Sequence, residues 1–465
     1  MKKIHFIGIE GCAMSGMAHI LLKQNNKITG SDLTPGLSAK QLSKQGAVIY
    51  KGHNKKHLDK ETDLVIISAA IKENNPELAE ARKRNVPVLK YAEMLGKLMS
   101  GNIGIAVAGT HGKSTTSGLM AYMMHKTGMK PNYVIGAKVR QLKGNSGIGS
   151  SPYFVAEACE YDKSFLQLNP KIGIITNIEL DHLDCYKNIQ EISQAFTNFA
   201  KLLPQDGLLV VEKEAMDYLD LSQIQCEIQS YSLNQKAQWY INKIYREGLK
   251  YKFEVFHNEN RKGLFSIKLA GRHNISNALA TIAVAFYLNI PQHSIQNVLQ
   301  KYTGVNRRFE ILSTCPVTII DDYAHHPTEI KAVLRGLREY AHFNKIWCVF
   351  QPHQASRTYH LLKDFSSSFE LADEVVLSDI YFARDSIEDR NRINSQILAE
   401  NIVAQGKNAY YMKSFNDIEN FLKNNVTHGD VIITLGAGDI YKIAHNLKQF
   451  YRFYRPITNK LNNVG

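Results

Sequence analysis

Two glycine-rich segments of this sequence have polar side chains at the spacing of phosphate-binding loops. The first is GIEGCAMSG at residues 8–16, and the second is GTHGKST at residues 109–115. Each follows a short apolar run and precedes a helical pattern, which predicts a strand–loop–helix turn whose backbone N–H groups can hold phosphate oxygens. The sequence therefore predicts two anion-binding loops in one chain.

The second segment is close to the loop that binds nucleoside triphosphates. It keeps Gly-x-x-Gly-Lys-Ser, although Val107 stands where the strict motif has its first glycine. We expect Lys113 to bind the terminal phosphates of ATP and Ser114 to be a ligand of Mg²⁺. The other members of this predicted ATP loop are Gly109, Thr110, His111, Gly112 and Thr115. The alternative is a helix start that carries Gly-Lys-Ser by chance.

The first segment is an incomplete dinucleotide-binding fingerprint. Glu10 and Ala13 stand where two of its glycines belong, while Asp32 at the end of the second apolar run still supports a nucleotide diphosphate or ribose. A carboxylate aimed at a pyrophosphate would repel it. We therefore expect Glu10 to face solvent or pair with a cation, with the backbone amides around Gly11 to Ala13 facing phosphate. The alternative is a tight turn without a ligand.

Six acidic side chains follow two apolar runs after the second loop: Glu157, Glu160, Asp162, Glu179, Asp181 and Asp184. The carboxyl ends of parallel strands meet at the ligand-binding edge of an α/β sheet, so these acids could supply oxygen ligands to a phosphate-bound metal. Any one of them could instead be a solvated loop residue or a helix cap.

Two later segments also carry candidate side chains. Arg307 and Arg308 could reach a γ-phosphate, or they could be a surface pair. The run DDYAHHP at residues 321–327 follows a predicted strand and could hold ligands, or it could cap a helix that begins near Thr328 with exposed histidines.

The elements that must position these residues form three α/β segments. Residues 1–98 are predicted to be Rossmann-like, residues 99–309 to be a parallel sheet like that of P-loop ATPases with an antiparallel edge, and residues 310–465 to be Rossmann-like again. Two-residue alternation between 231 and 269 predicts the antiparallel hairpins. The runs around the second loop predict a strand at 103–108 and a helix at 115–126.

Composition limits the classes of protein that this chain can be. Its 465 residues are 44% hydrophobic and 21% charged, and 56 basic against 43 acidic residues give a net charge of +13. Such charge fits nucleic acid, an anionic membrane surface or phosphorylated small substrates, and we expect the last, with a lysine-rich proteome as the alternative. Six cysteines without a C-x-x-C pair predict reduced thiols and no zinc. We find no signal peptide or spanning run and expect a cytoplasmic protein.

The order of the motifs resembles the Mur ligases of peptidoglycan synthesis over essentially the whole chain. The motifs are GTHGKST, EACEYDKSF, TNIELDHLD, AGRHNISNALA, GVNRRFE and DDYAHHPTEI. The loop alone would indicate only the superfamily shared with folylpolyglutamate ligases. DDYAHHP and HFIGI-x-G-x-x-MSG-x-A narrow the resemblance to ligases that act on the muramic acid carboxylate.

This resemblance implies an ATP- and Mg²⁺-dependent enzyme of the alanine-adding branch. It would join L-alanine to the lactyl carboxylate of UDP-N-acetylmuramate through an acyl phosphate. The first loop would receive the UDP-sugar and the second ATP, and the third segment would supply the amino acid site and close over ATP. The implied protein is a monomer or weak homodimer that binds no nucleic acid and inserts into no membrane.

The resemblance also implies roles for individual residues. The implied catalytic residues are Lys113, Glu157, His182, Arg308 and His326. The implied metal ligands are Ser114, Glu157 and His182. Nucleotide contacts outside the loop would come from His273, Asn274, Asn277 and Asp322. The implied substrate-binding residues are Gly8, Gly11, Ser15, Asp32, His325 and Arg357, with His326 also facing substrate.

The chain departs from the family pattern at a few positions. Glu10 and Ala13 replace glycines, Gln354 replaces an arginine, and we find no equivalent of the carbamylated lysine of several Mur ligases. Three other functions stay open: a ligase that attaches an intact tripeptide to the same UDP-sugar, a non-catalytic nucleotide-sugar-binding protein, and a dehydrogenase. The Lys113, Ser114, Glu157 and His182 set favours an enzyme, because a protein that only binds needs no metal site.

Overall fold

The structure, a computed structural model, describes residues 1–453 apart from 183–184, 235, 248–249 and 384. The chain forms two compact units. The first consists of residues 1–269 and 273–306, and the second of residues 270–272 and the chain from 307 onward. They contain three β-sheets with helices between the strands, which confirms the α/β prediction. Among the described residues, no helix has the length and apolar character needed to cross a membrane.

The first sheet of the first unit is parallel and has the strand order β3-β2-β1-β4-β5. Its strands are β1 (Lys3–Ile7), β2 (Lys27–Asp32), β3 (Val48–Lys51), β4 (Leu64–Ile67) and β5 (Val88–Lys90). Its helices are α1 (Cys12–Lys23), α2 (Leu37–Lys44), α3 (Pro76–Lys83) and α4 (Tyr91–Met99). The order reverses on either side of β1, so the loop after β1 lies at the position where Rossmann-like sheets bind ligands.

The second sheet has ten strands in the order β15-β14-β13-β12-β11-β10-β6-β9-β7-β8. Its first five strands in the chain are β6 (Ile103–Ala108), β7 (Asn132–Val139), β8 (Gly144–Gly147), β9 (Tyr153–Glu157) and β10 (Ile172–Ile175). The other five are β11 (Leu208–Glu212), β12 (Glu227–Ser232), β13 (Trp239–Glu247), β14 (Lys250–His257) and β15 (Asn260–Ile267). Strand β6 is a continuous apolar run because parallel neighbours and helices cover both of its faces.

Four helices belong to this second sheet: α5 (Lys113–Lys126), α6 (Ile189–Ala200), α7 (Arg272–Tyr287) and α8 (Gln292–Lys301). Helices α5 and α7 are buried along most of their length, which explains why neither has a polar face in the sequence. The register of β6 aligns Val107 with Glu157 of β9 and Ala108 with Ile175 of β10. The ends of these three strands therefore lie beside the loop that follows β6.

The second unit contains a six-stranded sheet in the order β16-β17-β21-β18-β19-β20. Its strands are β16 (Glu310–Ser313), β17 (Thr318–Asp322), β18 (Ile346–Phe350), β19 (Glu374–Leu377), β20 (Asn408–Tyr411) and β21 (Val431–Leu435). Its helices are α9 (Pro327–Tyr340), α10 (Ala355–His360), α11 (Leu362–Ser366), α12 (Ile387–Arg392), α13 (Ser395–Ala404), α14 (Phe415–Asn425) and α15 (Tyr441–Phe453). All pairs are parallel except β16 with β17.

The structure agrees with the sequence prediction at one edge of the second sheet and differs from it at the other. The predicted antiparallel hairpins are present as β13, β14 and β15. The opposite edge carries a second antiparallel pair, β7 with β8, which was not predicted. Strand β8 has the sequence GNSG, and glycine and asparagine are poor strand formers, so propensity gives no signal there.

Candidate active site

The loop between β6 and α5 has two positions that require glycine. Gly109 and Gly112 have φ angles of +136° and +83°. A Cβ atom on Gly109 would lie 2.0 Å from Thr176 Oγ1, and one on Gly112 would lie 2.6 Å from Asn277 Oδ1. Both the backbone conformation and the available space therefore exclude a side chain.

The remaining loop residues are fixed by the end of β10. The N–H of Thr110 donates to the carbonyl of Asn177 at 3.2 Å, and that of His111 donates to Asn177 Oδ1 at 2.8 Å. The Thr110 hydroxyl also accepts the N–H of Glu179 at 2.9 Å. Thr115 is buried in the first turn of α5. Asn177 thus holds the loop, a role that sequence reasoning missed.

The Lys113 ammonium group lies within the curve of its own loop. Its Nζ donates to the carbonyls of Gly109 at 2.5 Å and Thr110 at 3.0 Å, and to Glu160 Oε1 at 2.9 Å. Burial alone would lower the pKa of Lys113, but the adjacent Glu160 carboxylate raises that pKa above its ordinary value. Lys113 is therefore a fixed positive charge within the loop of residues 109–114, which we call the phosphate cradle after its predicted ligand.

Ser114 and Glu157 meet at the start of α5, as predicted for two metal ligands. The Ser114 hydroxyl donates to Glu157 Oε2 at 2.8 Å, and the same oxygen accepts the N–H of Gly136 at 2.8 Å. A hydroxyl and a carboxylate side by side supply the hard oxygen ligands that Mg²⁺ prefers. The strand register explains the meeting, because β9 ends at Glu157 beside β6.

Glu160 is the acid that sequence reasoning named only as one of six. Its side chain is fully buried and contacts both Lys113 and His182, with His182 Nε2 3.4 Å from Oε1. Burial raises the pKa of Glu160, but Lys113 and His182 outweigh burial and lower it below the ordinary value. The sequence shows several acids close together after β9, and nothing in their spacing indicates that Glu160 would be the buried one.

Of the other acids of the set, Asp162 lies away from the cradle, while Glu179 and Asp181 contact His111 and His182. Asp162 pairs with Lys90 at 2.7 Å in an exposed position, and Asp181 Oδ1 accepts the N–H of His182 at 2.6 Å. Glu179 lies 3.5 Å from His111 Nε2. Asp184 lies outside the described residues.

Three of the four residues assigned to the nucleotide by resemblance outside the loop lie together at the start of α7. Asn274 Nδ2 is 3.1 Å from His273 Nε2, and Asn277 Nδ2 donates to Asn274 Oδ1 at 3.4 Å. Asn277 packs against Gly112 of the loop, so the group lies beside the phosphate cradle. Their contact with adenine stays a prediction.

The loop between β1 and α1 also turns at a glycine. Gly8 has a φ angle of +85°, Gly11 is the N-cap of α1, and the Ser15 hydroxyl donates to the Cys12 carbonyl at 2.9 Å. Asp32 Oδ2 accepts the N–H of Glu10 at 3.0 Å. Ser15 and Asp32 therefore shape the loop, and their contact with a UDP-sugar stays a prediction.

The Glu10 carboxylate is half-buried and binds backbone N–H groups, whereas the expectation above was solvent or a cation. Its Oε2 accepts the N–H groups of Gly36 and Ala39, both at 2.9 Å, and its Oε1 accepts that of Ser38 at 3.1 Å. These donors are the free amides at the start of α2, where a helix favours negative charge. The amides of a helix N-terminus can bind a carboxylate as a cation does. They need no basic side chain, so the sequence shows no sign of this partner.

The first loop is joined to the second sheet within the first unit. Asn145 of β8 donates from Nδ2 to the carbonyl of Cys12 and approaches its sulfur at 3.3 Å. Gly16 leaves the space for this contact, because a Cβ there would lie 2.7 Å from Asn145 Nδ2. Burial and the Glu157 carboxylate raise the pKa of the Cys12 thiol to about 11. The Cys12 thiol at the first loop is therefore close enough to Glu157, beside the cradle, for that carboxylate to raise its pKa.

In the second unit, the predicted residues gather at the carboxyl end of β17. Arg308 Nη1 donates to Glu329 Oε1 at 3.2 Å, and its guanidinium lies over the ring of Tyr323. Both oxygens of Asp322 accept backbone N–H groups, from Phe309 at 2.6 Å and Ala324 at 2.7 Å. Burial raises the pKa of Asp322 to about 6, although Arg308 opposes this shift. Asp322 thus shapes the backbone, and a ribose contact stays a prediction.

The two histidines and Arg357 occupy neighbouring turns of this unit. His326 is the buried N-cap of α9 and accepts the N–H of Thr328 at 3.4 Å, so it is not the exposed histidine of the alternative interpretation. His325 Nδ1 lies 3.2 Å from Glu329 Oε2. The buried Arg357 donates to the carbonyl of His353 at 3.1 Å. Their substrate contacts stay predictions.

Comparison with known proteins identifies the family to which this arrangement belongs. Family models described as the Mur ligase catalytic domain, the Mur ligase middle domain and the Mur ligase glutamate ligase domain match residues 3–102, 107–285 and 307–438. The chain belongs to the Mur ligase family. As a Mur ligase it is an ATP-dependent enzyme that joins an amino acid to a carboxylic acid in peptidoglycan synthesis.

Individual Mur ligases match over nearly their full length. A UDP-N-acetylmuramate--L-alanine ligase of Clostridium novyi is 43% identical over 446 residues, covering 95% of this chain and 96% of that protein. The crystal structure of the UDP-N-acetylmuramate-alanine ligase of Thermotoga maritima superposes with a TM-score of 0.83 at 28% identity, covering 97% of this chain and 99% of the other. A murein peptide ligase of Psychrobacter arcticus shares the fold, with a TM-score of 0.75, 24% identity and 98% and 100% coverage.

Proposed function

We propose that this Mur ligase joins L-alanine to the lactyl carboxylate of UDP-N-acetylmuramate at the expense of ATP. The observation that carries the proposal is the 43% identity over 95% of the chain to a ligase of that name. The two loops of the first unit support it, since the reaction needs a site for a UDP-sugar and a site for ATP. The expectation of two nucleotide sites in one chain agrees with this chemistry.

The proposed reaction runs in two steps. ATP transfers its γ-phosphoryl group to the lactyl carboxylate, and the α-amine of alanine then attacks the acyl phosphate and displaces phosphate. Lys113 contributes a fixed ammonium charge that stabilises the negative charge on the phosphoryl oxygens during transfer. Arg308 is proposed to contribute a second positive charge. Gly109 and Gly112 let the backbone amides approach the phosphates.

The residues at the start of α5 fit a Mg²⁺ ion. Ser114 Oγ and Glu157 Oε2 already lie 2.8 Å apart, and His182 Nδ1 is buried with no hydrogen-bond partner among the described residues. We propose these three side chains as the protein ligands. The ion would neutralise phosphate charge when bound.

A magnesium titration tests this assignment. Glu157→Gln removes a carboxylate ligand, so the Mg²⁺ concentration for half-maximal turnover should rise about tenfold while the KM for alanine stays within about twofold. Asp162→Asn is the matched control, since Asp162 pairs with Lys90 on the surface. An unchanged magnesium titration with a large rise in the KM for alanine would show that Glu157 serves the amino acid instead.

The amine acceptor is tested by phosphate release. UDP-N-acetylmuramate and ATP are supplied with L-alanine, glycine, L-serine or the tripeptide L-alanyl-γ-D-glutamyl-diaminopimelate. We expect L-alanine to give the highest kcat/KM. Preference for the tripeptide would identify a recycling ligase, and no release with any acceptor, despite UDP-sugar binding, would indicate a non-catalytic binding protein.

The remaining assignments are also proposals. We propose UDP-sugar, ATP and amino-acid segments at residues 1–98, 99–309 and 310–465, and a cytoplasmic protein that acts as a monomer or weak homodimer. We further propose that His273, Asn274 and Asn277 contact the adenine, which their position beside Gly112 supports.

A further inference from the structure

Glu160 is the one acid of its segment that the fold encloses completely. Its side chain has no exposed surface, and its backbone carbonyl accepts the Tyr186 hydroxyl at 2.6 Å. One oxygen receives the Lys113 ammonium at 2.9 Å and the other lies at the same distance from it. Since His182 Nε2 is 3.4 Å from Oε1, one buried carboxylate serves two different site residues.

The surroundings of the His182 ring distinguish its two nitrogens. Nε2 faces two carboxylates, Glu160 at 3.4 Å and Asp181 at 4.0 Å. Nδ1 is buried and has no hydrogen-bond partner within the described part of the chain. A carboxylate favours a proton on the nitrogen that it faces, and the other nitrogen then keeps its lone pair. The ring is further held by the edge of Tyr161, 5.2 Å away.

We propose that Glu160 is a positioning residue that keeps the proton of His182 on Nε2 and leaves the Nδ1 lone pair for a divalent cation. The identity of that cation as the Mg²⁺ of the ligase rests on the proposed function. The same carboxylate holds the Lys113 ammonium, so the phosphate-binding charge and the metal-binding nitrogen depend on one side chain. Glu160 itself touches neither substrate nor metal in this scheme.

The substitution Glu160→Gln tests the tautomer because an amide has only one acceptor oxygen. In the wild type, Lys113 Nζ lies 2.9 Å from both oxygens of Glu160, and His182 Nε2 faces Oε1. When the amide places its NH₂ at the Oε1 position, that group donates to His182 Nε2 and the ring proton moves to Nδ1, while the oxygen at the Oε2 position still accepts from Lys113. The substitution conserves shape and should make the Nδ1–H form appear.

The tautomer is read by two-bond ¹H–¹⁵N correlation of the full-length protein labelled with ¹⁵N-histidine, with His182→Gln used to assign the signal. We expect only Nε2–H in the wild type and a measurable Nδ1–H form in Glu160→Gln. Glu160→Asp keeps an acceptor-only group and should keep Nε2–H. A wild-type signal of the Nδ1–H form would overturn the proposal, whether or not any variant folds.

Cation binding is measured with Mn²⁺ by electron paramagnetic resonance, in the presence of ADP and without UDP-sugar or alanine. Affinity should fall about 10- to 100-fold in Glu160→Gln. Glu77→Gln is the matched control, since Glu77 is also buried and contacts His57 Nδ1 at 2.7 Å in the first sheet. It should lower the melting temperature and leave Mn²⁺ affinity and the His182 tautomer unchanged.

An unchanged Mn²⁺ affinity in folded Glu160→Gln would refute the positioning role. An equal loss of Mn²⁺ affinity in Glu77→Gln would also refute it, because the loss would then come from general destabilisation. Neither measurement uses the UDP-sugar or the amino acid. Failure of the proposed ligase function would therefore appear in the phosphate-release assay and leave these two readouts intact.

Discussion

The contact of Glu10 with α2 predicts a stabilising role for a residue that breaks a glycine motif. Glu10→Ala removes the acceptor of three N–H groups at 2.9–3.1 Å. Hydrogen bonds to charged groups contribute roughly 1.5–3 kcal/mol each when buried. Glu10 is only half-buried, so water can replace part of this, and a loss of about 2 kcal/mol, the upper end for helix N-caps, is expected.

Urea unfolding followed by circular dichroism measures this loss, and a decrease of about 4 °C in melting temperature should accompany it. Glu10→Gln keeps one acceptor oxygen and should fall between the wild type and Glu10→Ala. Glu214→Ala, which removes an exposed carboxylate of the same unit, should change stability by less than about 0.5 kcal/mol.

Glu10→Ala also tests whether the Glu10 carboxylate repels the diphosphate of the UDP-sugar. A carboxylate ~4 Å from a phosphate charge would cost roughly 4 kcal/mol at an effective dielectric of about 20. The N–H groups at the start of α2 hold the Glu10 carboxylate. The affinity for UDP-N-acetylmuramate, measured by calorimetry, should therefore change by less than about tenfold, or roughly 1.4 kcal/mol. Stability equal to the wild type, or affinity improved well beyond tenfold, would refute the capping argument.

Other parts of the structure give three further predictions. Lys113→Ala should abolish phosphate release while calorimetry shows UDP-N-acetylmuramate affinity within about threefold of the wild type, and loss of both would contradict separate loops. Burial raises the pKa of Asp322 from 3.8 to about 6, so the folded state binds the proton more tightly than the unfolded state does. The free energy of unfolding of the second unit should therefore fall by up to about 3 kcal/mol as the pH rises from 4 through 6. Urea unfolding of Asp322→Asn should show no such dependence on pH. Gly16→Ala places a Cβ 2.7 Å from Asn145 Nδ2 and should destabilise by about 1–3 kcal/mol, whereas Gly11→Ala, with no atom closer than 3.7 Å, should show a smaller loss in the same melt.

Local signals in the sequence predicted the strand and helix around the cradle well, while its binding of ATP stays a prediction. The apolar run before Gly109 and the Gly-Lys-Ser start of α5 are contiguous, and the strand at 103–108 agrees with β6 at both ends. The meeting of Ser114 with Glu157 could also be expected, since parallel neighbours place both at one sheet edge. The helix begins at Lys113, two residues earlier than predicted.

The residues that were missed depend on contacts between distant parts of the chain. Glu160 lies three residues after β9, and only the fold shows that it is enclosed while Asp162 is exposed. Asn145 is one polar residue in a glycine-rich strand, and its partner Cys12 is 133 residues away. Neither periodicity nor motif spacing carries information about such pairs.

Both predicted anion-binding loops belong to the first unit, and the hydrogen bond from Asn145 of the second sheet to the Cys12 carbonyl ties the first loop to the sheet that carries the second. For inhibitor design, this connection sets the distance between the two predicted binding loops in advance. A compound that carries a diphosphate mimic for the first loop and a second anionic group for the cradle needs a linker of a single length. A rigid linker of that length keeps a high effective concentration for the second arm and loses little entropy on binding. A series of linker lengths should therefore show one narrow maximum in affinity.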